Sequence, residues 1–257
     1  MGTLTTGEIR DLLDAKHDQY NHPGFIPADP ISIPHSFTRR EDIEISAFLT
    51  ATIAWGNRAS ILRSAGRIMD FMDRSPFEFI MNYGDDGTPG VQGFVHRTFN
   101  GADLDYFFRR IRFIYSDKGG LEQVFLEGYR QGGIHGALDH FRQVFISSDV
   151  PGWTARHVSD VGRGSAAKRL NLFLMWMVRY DRRGVHFGLW KGIPAGALMI
   201  PLDTHVGRVA RELGLLKRKG NDWQAVEELT AALRKMDPED PCKYDFSLFG
   251  LGIFDKF

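Results

Sequence analysis

The chain has 257 residues, of which 43% are hydrophobic and 25% are charged. These proportions are typical of a folded globular protein and exclude a largely disordered chain. Lysine plus arginine equals aspartate plus glutamate at 32 residues each, so the net charge gives no evidence for a nucleic-acid partner. The single cysteine, Cys242, excludes an internal disulfide, and it cannot by itself hold an iron–sulfur cluster or a structural zinc ion.

The N-terminal segment does not predict a secretory signal. Its first twenty residues contain aspartate, glutamate and lysine but no continuous apolar run, unlike a secretory signal. No apolar stretch in the chain approaches the roughly 18 residues that a membrane-spanning helix needs. We therefore expect a cytoplasmic, monomeric protein with no membrane partner.

Apolar residues recur at helical spacing along most of the chain. After an N-terminal helix, a proline-rich segment at 21–38 is predicted to cross to the next helix. A helix–turn–helix is predicted at 40–72 with its break at Trp55-Gly56-Asn57, and Ser75-Pro76 is typical of the start of a short helix. Further helices are predicted at 102–115, 121–131, 134–145, 166–179, 204–213, 222–236 and 244–251. Because no stretch alternates with a period of two, we predict an all-α fold.

Positive charge is concentrated in one part of the chain. From Arg156 to Lys191 there are eight basic residues and two acidic ones. Such a segment is typical of a surface that binds phosphates, although an ordinary solvated helix face has the same composition.

Lys168 lies in the most informative segment, which begins at Val161. Gly162-Arg163-Gly164 predicts a turn and Ser165 predicts a helix N-cap, so that Lys168 falls in the first helical turn. There its amine would lie beside the positive end of the helix, next to Arg169 and apolar neighbours. This environment favours the neutral amine, which is the nucleophilic form.

Asp203 is predicted to begin another helix. It follows the extended pair Pro201-Leu202 and precedes a helical pattern, which is typical of an N-cap aspartate. Taken alone, Asp203 needs no role other than this structural one.

Together the two segments resemble the helix-hairpin-helix (HhH-GPD) DNA glycosylase superfamily. The run Leu202-Asp203-Thr204-His205-Val206, followed by Arg208-Val209 and Leu213-Gly214-Leu215, is similar to the segment that carries the essential aspartate there. In that superfamily the second helix of an upstream hairpin opens with the lysine nucleophile, as in Gly162-x-Gly164-x-x-x-Lys168. The gap of 35 residues between Lys168 and Asp203 and the lack of cluster cysteines are similar to the archaeal 8-oxoguanine glycosylase branch.

A second resemblance concerns the C-terminal segment. Lys243 to Gly252 matches a Lys-Tyr-Asp-Phe-x-Leu-Phe-Gly-Leu-Gly pattern that ends a family of uncharacterised bacterial proteins. This similarity implies kinship and no activity.

The glycosylase resemblance implies a two-lobed helical fold with a helix-hairpin-helix element. We expect residues 1–257 to form a single compact unit. One lobe would span approximately 40–199 and include the hairpin at 155–180, and the other would combine approximately 1–39 with 200–257.

The resemblance also implies base excision from double-stranded DNA that contains a damaged base, such as an oxidised purine. Lys168 would attack the sugar of a flipped nucleotide to form a Schiff base, and Asp203 would stabilise the developing positive charge and assist proton transfer. A strand-cleaving lyase step could follow, and neither a metal nor another cofactor is required. The implied DNA contacts are Gly162, Arg163, Gly164, Ser165 and Arg169 at the hairpin, with Asn57 and Arg58 at the gap in the duplex.

The residues that would recognise the base have structural alternatives. Trp190, Phe187 and Trp176 could stack on a base, but aromatic rings at such spacing also form protein cores. Asp245 could accept hydrogen bonds from a purine edge or could cap the last helix.

Two other functional classes remain open from the sequence. A non-catalytic DNA-binding protein of the same fold would keep the basic hairpin without excision. A small-molecule enzyme on a helical scaffold is the third interpretation, because a fold does not fix a function.

Overall fold

The computed structural model describes residues 4–84, 86–255 and 257. The chain forms two compact units. The central unit is Ile26–Asp160, and the split unit combines Met1–Phe25 with Val161–Phe257. These boundaries differ from those expected from the sequence, near 39/40 and 199/200.

The described residues form ten α-helices and one short hairpin, so the fold is all-α. The split unit begins with α1 (Thr6–Tyr20). The central unit then holds α2 (Arg40–Thr52), α3 (Arg58–Phe71), α4 (Pro76–Met81), the strands β1 (Val95–His96) and β2 (Phe99–Asn100), α5 (Gly101–Asp117) and α6 (Leu121–Phe145). The split unit resumes with α7 (Lys168–Val178), α8 (Thr204–Glu212), α9 (Trp223–Met236) and α10 (Asp245–Ile253). Short 3₁₀ helices lie at Pro23–Ala28, Pro30–Ser32, Pro34–Ser36, Val91–Gly93, Thr154–His157, Ala195–Ala197 and Pro241–Tyr244.

Each predicted helix is present within a few residues of its predicted ends. The break between α2 and α3 is at the predicted Trp55-Gly56-Asn57 turn, where Asn57 accepts a hydrogen bond from the amide of Ser60 at 3.2 Å. The two helices predicted at 121–131 and 134–145 form the two arms of α6. They meet at Gly132 and Gly133, whose backbone angles are not helical.

The core of the central unit is aromatic. The rings of Phe48, Phe107, Phe141 and Phe145 contact one another with centroids between 4.8 and 5.9 Å apart, and all four are buried. Edge-to-face and offset rings add attraction beyond the apolar area that they remove from water. This cluster joins α2, α5 and the second arm of α6.

The split unit is held together by the two ends of the chain. Helix α1 packs on α10, and the hydroxyl of Ser247 donates to the carbonyl of Leu13 at 2.6 Å. Gly250 allows this approach, because a Cβ at that position would lie 2.2 Å from two carbons of the Tyr20 ring. Helix α10 also packs on α8, which places the start of α8 on this scaffold.

The segment between α7 and α8 stays with the split unit. The amides of Phe187 and Trp190 donate to the carbonyls of Trp176 and Met177 on α7, each at 3.0 Å. The chain therefore folds back on α7 after that helix ends, which explains why no boundary falls near residue 199. None of the helices in the described part of the chain is long and apolar enough to span a membrane.

Candidate functional site

The structure brings Lys168 and Asp203 together within the split unit. The Nζ atom of Lys168 lies 3.8 Å from Oδ2 of Asp203, and their side chains are 30% and 22% exposed. Lys168 is the first residue of α7 and Asp203 is the N-cap of α8. The positive ends of two helices therefore meet at one solvent-accessible ion pair.

Asp203 is fixed by its own backbone surroundings. Its Oδ1 atom accepts hydrogen bonds from the amides of His205 and Val206, both at 2.9 Å, and the Asn221 side chain donates to its carbonyl oxygen at 3.1 Å. One carboxylate oxygen thus caps the helix while the other faces Lys168. The predicted N-cap is confirmed, and the cap orients the carboxylate that the ion pair uses.

The start of α7 differs from the prediction. Ser165 is not the N-cap; Ala167 is, in a left-handed conformation with φ of 48°. The Ser165 hydroxyl accepts from the amide of Ala167 at 3.2 Å, and its backbone forms an isolated β-bridge with Asp222. The prediction for Ser165 was wrong because this long-range bridge holds it outside the helix, but Lys168 still lies in the first turn.

Asn171 supports the same turn and was missed from the sequence. It is 1% exposed, and its Nδ2 atom donates to the carbonyl of Ala166 at 3.2 Å. Its Oδ1 atom is buried and has no hydrogen-bond partner among the described residues. The only signal in the sequence was an amide side chain in an apolar helix, one turn after Lys168.

The turn before α7 is exposed and tied to α9. Gly162, Arg163 and Gly164 are exposed, and Gly164 has a φ of +82°. The Gly164 carbonyl accepts from the amide of Trp223 at 2.9 Å. Burial lowers the pKa of Arg169, in the first turn of α7, to about 10.

The complete helix-hairpin-helix motif is not confirmed. The turn at 161–164 and the helix after it are present, but the segment that precedes the turn is the four-residue 3₁₀ helix Thr154–His157. The 3₁₀ helix before the turn and the helix after it also belong to different units, because the boundary lies between Asp160 and Val161.

The structure places most of the proposed base-recognition residues away from solvent. Trp176 is 2% exposed and Trp190 is fully buried, with its ring edge-to-face against Phe173 at 5.2 Å. Neither ring has a face on which a base could stack, which corrects their assignment as stacking residues. Phe187 is half-buried. Asp245 is also half-buried and is the first residue of α10 rather than its N-cap, which is Tyr244.

Asn57 and Arg58 lie in the central unit. Asn57 is exposed at the N-terminus of α3, and Arg58 is 3.7 Å from the Asp29 carboxylate. Gly56 before them has a φ of +100°. The turn is thus on the surface, as a DNA contact would require.

Within residues 4–84, 86–255 and 257, no cluster of three or more histidine, cysteine or acidic side chains could hold a metal ion. Cys242, the lone cysteine, is buried, and burial raises the pKa of its thiol well above the usual value.

The comparisons with known proteins identify a family and no activity. No curated protein and no solved structure gives a significant match to the chain. One family model matches residues 29–254, which is most of the chain and includes Lys168, Asp203 and all of α10. The chain therefore belongs to the family described as Protein of unknown function (DUF2400).

Proposed function

We propose that the protein is a DNA glycosylase that forms a Schiff base through Lys168, with the associated ability to cleave the strand at an abasic site. The observation that carries this proposal is the 3.8 Å approach of the Lys168 amine to the Asp203 carboxylate at a solvent-accessible position. A lysine nucleophile needs a nearby base to take its proton, and a carboxylate in ion-pair contact can do so.

The chemistry follows from this pair. Lys168 passes a proton to Asp203, and the neutral amine of Lys168 then attacks the anomeric carbon of a displaced nucleotide. The bond between carbon and base breaks, and the base leaves with the bonding electrons and takes up a proton from Asp203. When the sugar ring opens, the ring oxygen takes the electrons of its bond to the anomeric carbon and a proton from the attached nitrogen. The regenerated carboxylate then stabilises the positive charge of the iminium that results. Protons and electrons balance without a metal or redox partner.

The surroundings of the pair suit a phosphate-bearing substrate. The N-terminus of α7 carries partial positive charge, and anions bind at such helix ends. The exposed residues 162–164 comprise Arg163 and two glycines that allow close approach of a strand. These features support binding of the DNA backbone next to the reacting lysine.

The alternative is a DNA-binding protein in which the pair is structural. The hydrogen bonds of Asp203 to His205 and Val206 favour it, because a helix cap alone explains an aspartate at this position. A direct test of covalent chemistry separates the two functions.

The test is borohydride trapping on duplex oligonucleotides. The substrates are an abasic site and a panel with an oxidised purine, an oxidised pyrimidine or uracil. Lys168→Gln removes the nucleophile, and Lys219→Gln is a matched control because Lys219 is an exposed lysine of the same unit.

We expect a covalent adduct with the native chain and with Lys219→Gln, and none with Lys168→Gln. Peptide mapping should locate the adduct at Lys168. Absence of an adduct on every substrate, at protein concentrations that saturate the duplex, would reject the glycosylase and support the binding protein. Failure to bind any duplex at low salt would reject both.

A further inference from the structure

Three consecutive residues of the split unit contact the starts of both helices that carry the candidate pair. The Nδ2 atom of Asn221 donates to the carbonyl of Asp203, the N-cap of α8, at 3.1 Å. The amide of Trp223 donates to the carbonyl of Gly164, four residues before α7 begins, at 2.9 Å. Residues 221–223 therefore form a clamp between α7 and α8, because two residue steps of extended chain span at most about 7 Å.

The clamp is anchored on both sides of the hydrogen bond to Asp203. Arg211, on α8, donates from Nη2 to Oδ1 of Asn221 at 2.6 Å and to the carbonyl of Gly220 at 3.1 Å. Asp222 is the N-cap of α9, and its Oδ1 atom accepts from the amide that follows it by three residues at 3.0 Å. Asn221 thus uses both polar atoms of its amide, one toward α8 and one toward the start of that helix.

Gly207 leaves the space that this arrangement needs. It lies on α8, one turn after Asp203, and its amide donates to the same Asp203 carbonyl at 2.9 Å. A Cβ at Gly207 would lie 2.8 Å from Nη1 of Arg211 and 2.9 Å from Oδ1 of Asn221. Glycine inside a helix is less stable than alanine, so its presence here is explained by the two side chains that pack over it.

Asn221 acts on the carboxylate through the backbone. Its hydrogen bond ends on the carbonyl of Asp203, while Oδ1 of Asp203 caps α8 and Oδ2 lies 3.8 Å from Nζ of Lys168. That separation is close to the limit of about 4 Å for an ion pair. A small rotation of Asp203 would therefore break the contact with the lysine.

We infer that Asn221 is a positioning residue for the Lys168–Asp203 pair, and that the clamp sets the spacing of the amine and the carboxylate. The inference rests on the proposed function, in which Asp203 takes up the proton of Lys168. A displacement of about 1 Å at reacting groups can lower a rate about 100-fold. Loss of Asn221 should consequently slow the covalent step and leave the binding of DNA unchanged.

The test is single-turnover borohydride trapping of an abasic duplex by the full chain at several protein concentrations. The saturating rate reports the covalent step, and the concentration at half-maximal rate reports DNA binding. Asn221→Ala removes both polar atoms, and Asn221→Asp keeps the acceptor for Arg211 but loses the donor to Asp203. Asn82→Asp is the matched control, because Asn82 is also exposed and its Nδ2 atom donates to the carbonyl of Glu78 at 2.9 Å.

We expect the saturating rate to fall about tenfold to 100-fold in both Asn221 variants, with an unchanged half-maximal concentration. Asn82→Asp should react like the native chain. Because Asn221 is exposed, the melting temperature should fall by no more than about 5 °C in its variants. A native saturating rate in either Asn221 variant would overturn the inference. Weaker binding at an unchanged rate would also overturn it, because Asn221 would then contact the DNA instead.

Zero-length crosslinking needs no DNA and tests the spacing of the pair directly. A carbodiimide joins a lysine amine to a carboxylate in contact with it as an amide, and the reagent leaves as a urea with one carboxylate oxygen. Peptide mapping compares the yield of the Lys168–Asp203 crosslink with that of Lys16–Asp255, a pair 2.7 Å apart in the same unit. We expect this ratio to fall about threefold or more in both Asn221 variants.

The two measurements separate failure of the inference from failure of the proposed function. If the native chain traps no DNA on any substrate, the glycosylase is rejected and the crosslinking ratio decides the inference, which an unchanged ratio overturns. If the native chain traps DNA and the Asn221 variants trap it at the same saturating rate, the inference is overturned and the glycosylase stands.

Discussion

Asp203 has two separable roles, and two substitutions distinguish them. Asp203→Ala removes the side-chain acceptor for the amides of His205 and Val206. Loss of an N-cap costs about 0.5–2 kcal/mol, and loss of a partly exposed ion pair with Lys168 adds up to about 1 kcal/mol. Asp203→Asn keeps a good cap and loses only the charge. We therefore expect the free energy of unfolding to fall by about 1–3 kcal/mol for alanine and by less than about 1 kcal/mol for asparagine.

The two variants should separate more clearly in covalent trapping. Urea denaturation monitored by circular dichroism measures the free energy of unfolding. In a thermal melt of a chain of this size, the midpoint of the alanine variant should be roughly 2–8 °C lower than that of the native chain. Both variants should trap abasic DNA at least about tenfold more slowly, because neither has a carboxylate to receive the lysine proton. An asparagine variant as unstable as the alanine variant would refute the cap. An asparagine variant that traps DNA at the native rate would refute the catalytic role of the carboxylate.

Three further predictions concern the scaffold. Gly250→Ala should lower the free energy of unfolding by about 1–3 kcal/mol, because its Cβ would clash with Tyr20. Gly66→Ala on α3 should raise it by about 0.5–1 kcal/mol, because no atom lies within 4 Å of the added Cβ. Urea midpoints measure both changes. Gly133→Ala should cost about 1–3 kcal/mol, since a φ of 61° with a ψ of −152° suits only glycine, and unchanged stability would show that the kink in α6 can be lost. Burial lowers the pKa of His17 from 6.5 to about 4. Below pH 6.5 the unfolded chain therefore takes up a proton that the folded chain excludes. The free energy of unfolding should consequently be about 2 kcal/mol lower at pH 5 than at pH 7. In His17→Gln this part of the pH dependence should disappear, and a native-like slope would contradict its origin in His17.

The features that the sequence predicted are those with local causes. The break between α2 and α3 depends on Gly56 and on the capping side chain of Asn57, both of which can be read in three residues. The N-cap at Asp203 is also a local feature, because the amides that donate to its carboxylate belong to His205 and Val206, within three positions of it. Lys168 was placed in the first turn of α7 from the same kind of signal.

The features that the sequence did not predict depend on distant residues. Ser165 fails as a cap because its backbone pairs with Asp222, 57 positions later. Trp176 and Trp190 are core residues because the segment after α7 folds back onto that helix, and helical periodicity cannot distinguish a ring in the core from one in a cleft. Asn221 was missed because its hydrogen bond to the carbonyl of Asp203 spans 18 positions.

The packing of α1 on α10 has a consequence for biosynthesis. Leu13 emerges from the ribosome early, but Ser247, which donates to its carbonyl, is made 234 residues later. At a translation rate of about 5–20 residues per second, α10 is synthesised roughly 10–50 s after α1. During this interval residues 26–160 can complete their own core, since all of its members are translated before Ser247. A nascent chain stalled before α10 should therefore protect the central unit from protease while leaving α1 open to cleavage.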